Sequence, residues 1–192
     1  DSFSQRPQQI VEWFHNKHGD KVLWIDPYPT RLPNLGDFRR IKSSKFLSKN
    51  PLVGNGNKPP WLTVIQPFVP PIEPLPGSCY VYRWLWNDIL HAIDRFIESQ
   101  NETLLGIGKP SELALQVLFR YRSLKSVYDA MDDFPAFYHG ISRYAMMNRE
   151  QRIVKQVTRI SASSTKLAER FIEYQSKLTL VHNACAVDVL PS

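Results

Sequence analysis

Apolar residues first recur along the chain at Ile10, Val11, Trp13 and Phe14, a spacing that fits one face of a helix within "SQRPQQIVEWFHNKHGD". Pro7 suits the first turn of that helix, where a missing amide donor costs nothing, and Gly19 suits its stop. The next run, "KVLWIDP", is continuously apolar and halted by a proline, so it predicts a short buried strand. Residues 27–60 carry Pro, Asn, Gly and basic residues without periodicity and predict a long connection with room for one short helix. "WLTVIQPF" predicts the second strand, after which Pro67, Pro70, Pro71, Pro74 and Pro76 exclude regular structure.

The rest of the chain is more regular. Trp86, Ile89, Leu90, Ile93, Phe96 and Ile97 fall at helical spacing and predict one amphipathic helix from Val81 to Gln100. "TLLGIGKP" predicts a strand, and Ser111 an N-cap for the helix "ELALQVLFRYR". "SVYDAM", "RISAS" and "KLTLVHN" predict three further strands. They are separated by helices over Ile141–Thr158 and over Ser164–Tyr174, the latter with Leu167, Ala168 and Phe171 facing inward. Apolar strands alternating with helices imply a parallel sheet covered on both faces. The expected fold is a Rossmann-like, doubly wound α/β domain spanning residues 1–192. Its opening helix is awkward, because such a domain usually begins with its central strand. Either that strand lies upstream of Asp1, the preferred reading, or the strand of Trp24 takes its place.

Composition narrows the picture. With 43% hydrophobic residues and five tryptophans the chain is globular, not disordered. No run approaches the roughly 18 apolar residues that a membrane span needs, and no secretory signal opens the chain, so a soluble protein is expected. Cys79 and Cys185 stand far apart without CxxC spacing, and no histidine has metal-ligand spacing with an acid, so neither a metal nor another cofactor is expected. The net charge of +6 suggests an acidic partner: nucleic acid, a phosphorylated ligand or an anionic membrane surface. The basic run "RRIKSSKFLSK", residues 39–49, could face either macroscopic partner, although a solvated face is the commoner outcome.

Ligands of open parallel sheets bind beyond the carboxyl ends of the strands. The residues that end the predicted strands are all polar: Asp26, Gln66, Lys109, Asp132 with Asp133, Ser163 with Ser164, and Asn183. Asp26 before a proline also suits a plain turn, and the two serines also suit a helix cap. Lys109 in "GIGKPS" lacks the spacing of a phosphate-binding loop, and Pro110 removes a donor. In "YDAMDDFPAF", one acid can cap the next segment while the other faces the crevice. A general base there would gain from partial burial, with Phe134 and Phe137 as the apolar wall. His139, close in sequence to Asp133 and Arg143, is the histidine best placed for ligand contact.

Three segments together resemble bacterial glycosyltransferases of the GT-B fold, in the family-4-like group (glycosyltransferase group 1). They are "SFSQRPQQIVEWFHNKHGDKVLWIDP", "SVYDAMDDFPAFYHGISRYAMMNRE" and the pair "RISASSTKLAERF" and "LTLVHNACAVD", the last lacking the usual glycine of "NGvD". The resemblance implies that this is the acceptor-binding N-terminal half of such an enzyme. The nucleotide-sugar half would lie beyond "AVDVLPS", and catalysis by the 192 residues alone is expected to fail. It also implies that Gln5 and Arg6 line the cleft and that Asp132 stands where some inverting members place a base for the acceptor hydroxyl. The expected partners are a nucleotide-sugar donor, bound through the second half, and a glycan or lipid-linked acceptor. The expected setting is bacterial polysaccharide or lipopolysaccharide assembly in the cytoplasm, with peripheral contact to an anionic inner membrane allowed and no nucleic acid partner. The alternative is a non-catalytic nucleotide- or nucleic-acid-binding module.

Overall fold

The computed structural model describes residues 6–28, 30, 59–67, 73 and 78–182. Helix α1 (Arg6–His18) leads to β1 (Val22–Ile25), which pairs in parallel with β2 (Leu62–Ile65) from Val22↔Leu62 to Ile25↔Ile65. Helices α2 (Ser78–Leu85) and α3 (Asn87–Glu98) follow. Strand β3 (Leu104–Ile107) then begins a regular alternation: α4 (Glu112–Arg120), β4 (Lys125–Ala130), a 3-10 turn at Phe134–Phe137, α5 (Gly140–Gln156), β5 (Arg159–Ala162), α6 (Thr165–Arg170), a second 3-10 stretch at Ile172–Lys177, and β6 (Leu178–Leu180). Strands β3, β4, β5 and β6 lie side by side in that order, all parallel.

The chain is therefore α/β with parallel strands, but in two sheets and not the single sheet expected from the sequence. Trp24's strand pairs with β2 and does not join β3, so it does not take the central place. The predicted helix over Val81–Gln100 is also two helices, meeting at Trp86 (φ −95°, ψ 7°). The indole is fully buried and stacks on Tyr82 at 4.7 Å. Hydrogen bonds from Trp86 N to Tyr82 O and from Leu90 N to Trp86 O carry the ladder through the bend.

The core lies along one face of both sheets. Tyr28, Ile65, Tyr82, Trp86, Ile89, Ile93, Leu113 and Val117 form one cluster, with Leu23 and Ile25 packed on it. Ile107, Leu115, Tyr128, Ala130, Ile153, Ile160 and Phe171 form another, and Leu105 packs against both, so α4 and β3 join the two. Alternation along β4 and β5 explains this: Tyr128, Ala130, Ile160 and Ala162 are buried while Val127, Asp129 and Ser161 on the opposite face are not. Complete cover on both faces, expected from the sequence, is absent among the described residues. Helix α1 buries none of its residues, and Trp13 remains 51% exposed.

Two caps follow the expected chemistry. Ser111 Oγ accepts from Ala114 N at 3.1 Å and Ser164 Oγ accepts from Leu167 N at 3.3 Å, each satisfying an orphan amide of a first turn. The predicted Ser164–Tyr174 helix shortens to α6, after which the chain tightens into the 3-10 stretch. Among the described residues, no helix is long and apolar enough to cross a membrane.

Candidate functional site at the carboxyl rim of the sheets

A parallel arrangement sends every strand's carboxyl end to one rim, and the described candidates collect there. Lys109 follows β3, Asp132 and Asp133 follow β4, and Ser163 and Ser164 follow β5. Arg6 opens α1 at the same rim. Gln5, Asn183 and the basic run 39–49 lie outside the described residues.

Several candidates are engaged within the protein. Arg6 donates Nε and Nη2 to the two carboxylate oxygens of Asp129, both at 3.0 Å, a further Nη2 bond to Ser161 Oγ at 3.0 Å, and Nη1 to Val181 O at 2.7 Å. These four bonds tie α1 across β4, β5 and the end of β6. The expected role of Arg6 in lining a cleft becomes that of a clamp. Lys109 Nζ donates to Tyr28 O at 2.9 Å and bridges the segments after β1 and β3. Ser163 is buried, and its hydroxyl donates to Met131 O at 2.7 Å. Ser164 caps α6. Asp26 accepts from Trp24 Nε1 at 2.8 Å and from Gln66 Nε2 at 3.1 Å, the plain structural reading of that turn.

The adjacent acids part company. Asp133 pairs with Arg170 Nη1 at 2.8 Å, and Arg170 Nη2 reaches Glu150, whose other oxygen accepts from the Tyr128 hydroxyl at 2.8 Å. This chain of contacts pins the loop after β4 onto α5 and α6. Asp132 is exposed and has no side-chain partner among the described residues. Phe134 packs beneath the loop at 8% exposure, whereas Phe137 stands 65% exposed. The expected apolar wall is thus half present, and the partial burial expected of a base is not seen. His139 and Arg143 are likewise exposed, at the start of α5.

Two buried carboxyls were not anticipated. Burial pushes the Glu150 carboxyl up, with Arg170 and the Tyr128 hydroxyl pulling the other way. Glu73 is 1% exposed, receives Glu112 N at 2.8 Å and pairs with Arg149 Nε at 3.0 Å; burial also pushes its carboxyl up, against the pull of Arg149. The sequence signal was there in part: Glu150 sits between Met146 and Ile153 on the inward face of α5. A depression of about 250 Å³ beside Glu150, lined by Met147, Val154, Arg170, Phe171 and Tyr174, lies on the flank of α5 and not at the rim. Among the described residues, no group of three His, Cys, Asp or Glu side chains could hold a metal ion.

No family model matches the chain, and searches of curated proteins and of solved structures find no match either. The rim's chemistry therefore rests on its residues alone. It offers one exposed carboxylate with no side-chain partner among the described residues, on an anchored loop, and an imidazole and a guanidinium a few residues on. That arrangement can accept a proton from a hydroxyl and hold an anionic or hydroxyl-rich ligand, provided another surface closes over it.

Proposed function

We propose that the chain is the acceptor-binding half of a GT-B glycosyltransferase that moves a sugar from a nucleotide-sugar donor to a glycan or lipid-linked acceptor. The observation that carries this reading is the division of labour between the two acids after β4: Asp133 is held by Arg170, which leaves Asp132 exposed on a fixed loop at the carboxyl rim. A base for an acceptor hydroxyl needs that combination of fixed position and free carboxylate. Its exposure fits a half-site, because the burial that would tune such a base comes from the surface facing it. His139 and Arg143 are the side chains to orient acceptor oxygens or phosphate.

The test has two parts. Titrating the chain with a panel of oligosaccharides and short-chain glycolipids should shift the amide resonances of 131–143 and leave those of α3 unmoved. In a polypeptide that also carries a nucleotide-sugar domain, Asp132→Asn should slow transfer by about 10²–10⁴-fold while retaining acceptor binding. Asp133→Asn should have a much smaller effect. Transfer that survives Asp132→Asn would remove the base assignment. Salt-dependent binding to random DNA with no response to any glycan would favour the non-catalytic module instead.

A further inference from the structure

Among the described residues β1 and β3 do not pair although they end neighbouring sheets, and we propose that the gap between them is a receptor for one further parallel β-strand, supplied by the segment that leads into α1 in a longer form of this polypeptide. Four independent features point there. The first is strand order. A doubly wound sheet runs 3-2-1-4-5-6, with the first strand central. The observed sheets read β2-β1 and β3-β4-β5-β6, so one strand placed between them completes that order.

The second is the direction of α1. Its first turn sits at the carboxyl rim: Arg6 reaches Asp129, Ser161 and Val181 O, and Pro7 Cγ would lie 3.9 Å from a Cβ on Gly108, just past β3. The helix then returns to the amino end to feed β1. A strand preceding α1 must therefore end at the rim, parallel to its neighbours, and a right-handed crossover places it beside β1.

The third is the hydrogen-bonding edge. Val22 N donates to Trp61 O and Asp26 N to Ile65 O, so residues 22, 24 and 26 turn their polar groups toward β2. The alternation of a parallel ladder then turns those of Leu23 and Ile25 into the gap, where no described residue pairs with them. The fourth is burial. All four residues of β1 are apolar, yet each is only partly buried; Leu104 at the start of β3 is 49% exposed, and Gly106 faces open space. The walls are nonetheless fixed to each other. Leu23, Ile25 and Leu105 pack on one cluster, and the Lys109 ammonium donates to Tyr28 O across the rim end. A one-strand gap is about 9.5 Å wide, two interstrand spacings, which an extended lysine side chain together with its hydrogen bond can bridge. The occupant is a run of about four to five residues, apolar, β-branched and free of proline, since its amides must serve both walls.

The experiment is amide hydrogen exchange on the 192-residue chain and on the same chain extended ahead of Asp1 by alternating valine and isoleucine. Two glycine-serine connections of different length guard against a strained join, and a control extension carries prolines at alternate positions. In the unextended chain, Trp24 should be protected while Leu23 and Ile25 exchange faster by roughly 100-fold or more. At least one valine-isoleucine extension should raise Leu23, Ile25 and the β3 amides toward the protection of Trp24, and the proline control should not. The proposal is overturned if Leu23 and Ile25 are already as protected as Trp24 in the monomeric unextended chain. Protection that depends on dimerisation would place a second copy in the gap and overturn it too. So would indifference to both extensions, or equal protection from the proline control.

Discussion

Arg6 offers the sharpest test of how this fold is held, because a single side chain crosses from α1 to three strands of the second sheet. Its bidentate pair with Asp129 has both nitrogens at 3.0 Å, with the side chains 15% and 13% exposed. At about 4 Å between charge centres and an effective dielectric near 20, the gross attraction is about 4 kcal/mol. Desolvation of both groups offsets part of that, and the added bonds to Ser161 and Val181 restore some of it. Replacing Arg6 with methionine keeps much of the stem but leaves Asp129 without its partner, so the expected loss is about 2–3 kcal/mol. For a chain of this size that corresponds to roughly 4–12 °C in melting temperature. Urea unfolding of wild type, Arg6→Met, Asp129→Asn and the double variant closes a double-mutant cycle, with an expected coupling of about 1–3 kcal/mol. Because α1 buries none of its residues, its exchange protection should fall in Arg6→Met before global unfolding does. A loss below about 0.5 kcal/mol, the level of an ordinary surface change, would refute the clamp and return Arg6 to the pool of ligand contacts.

Two further outcomes follow from the buried carboxyls. Glu150 keeps its proton to higher pH in the folded chain than in the unfolded one, so the native state binds the extra proton, and its contribution to stability is lost as pH rises from the ordinary value of 4.5 through the raised folded value. Glu150→Gln should flatten the fall in urea midpoint over that window; an unchanged slope would show that another group carries it. Arg149→Met strips the charge that pulls Glu73 down, so the Glu73 carboxyl should rise further and stability should drop by about 3–5 kcal/mol, the usual cost of breaking a buried pair. A loss of under 1 kcal/mol in chemical denaturation at pH 7 would mean that Glu73 is already neutral there.

The strands and most helices could be read from the sequence because their apolar periods are strong and their caps are explicit. Ser111 and Ser164 cap the helices that they were expected to cap, and the apolar runs at 22–25, 62–65 and 104–107 and the predicted strand at 159–162 are all strands. What the sequence could not show is what each polar side chain faces. Ser163 and Ser164 are neighbours of the same type, yet one is spent on Met131 O and the other on a helix cap. Asp132 and Asp133 differ only in which one meets Arg170, a residue nearly forty positions away. Trp86 fits a helical period perfectly well, and the bend there falls where its indole is fully buried and stacked on Tyr82, a packing fact invisible to spacing. Asp129 stands inside a strand, and a carboxylate in such a run needs a cation, here Arg6, which spacing alone does not identify.

The split between the sheets and the openness of the rim have one physical explanation. A parallel sheet is stable when both faces and all interior edges are covered, and here several places are only partly covered. They comprise the half-buried strand β1, the exposed start of β3, the unburied helix α1 and, at the rim above them, an exposed carboxylate and imidazole. A strand in the gap would bury Leu104 and the flank of β1 and add to the contacts of α1, which now include the Arg6 bonds and the stack of His15 on Trp61. A domain facing the rim would then bury Asp132 without touching that strand. The two additions are separable: the first should change exchange and stability but not ligand contacts, and the second should change the chemistry of Asp132 but not the protection of Leu23 and Ile25.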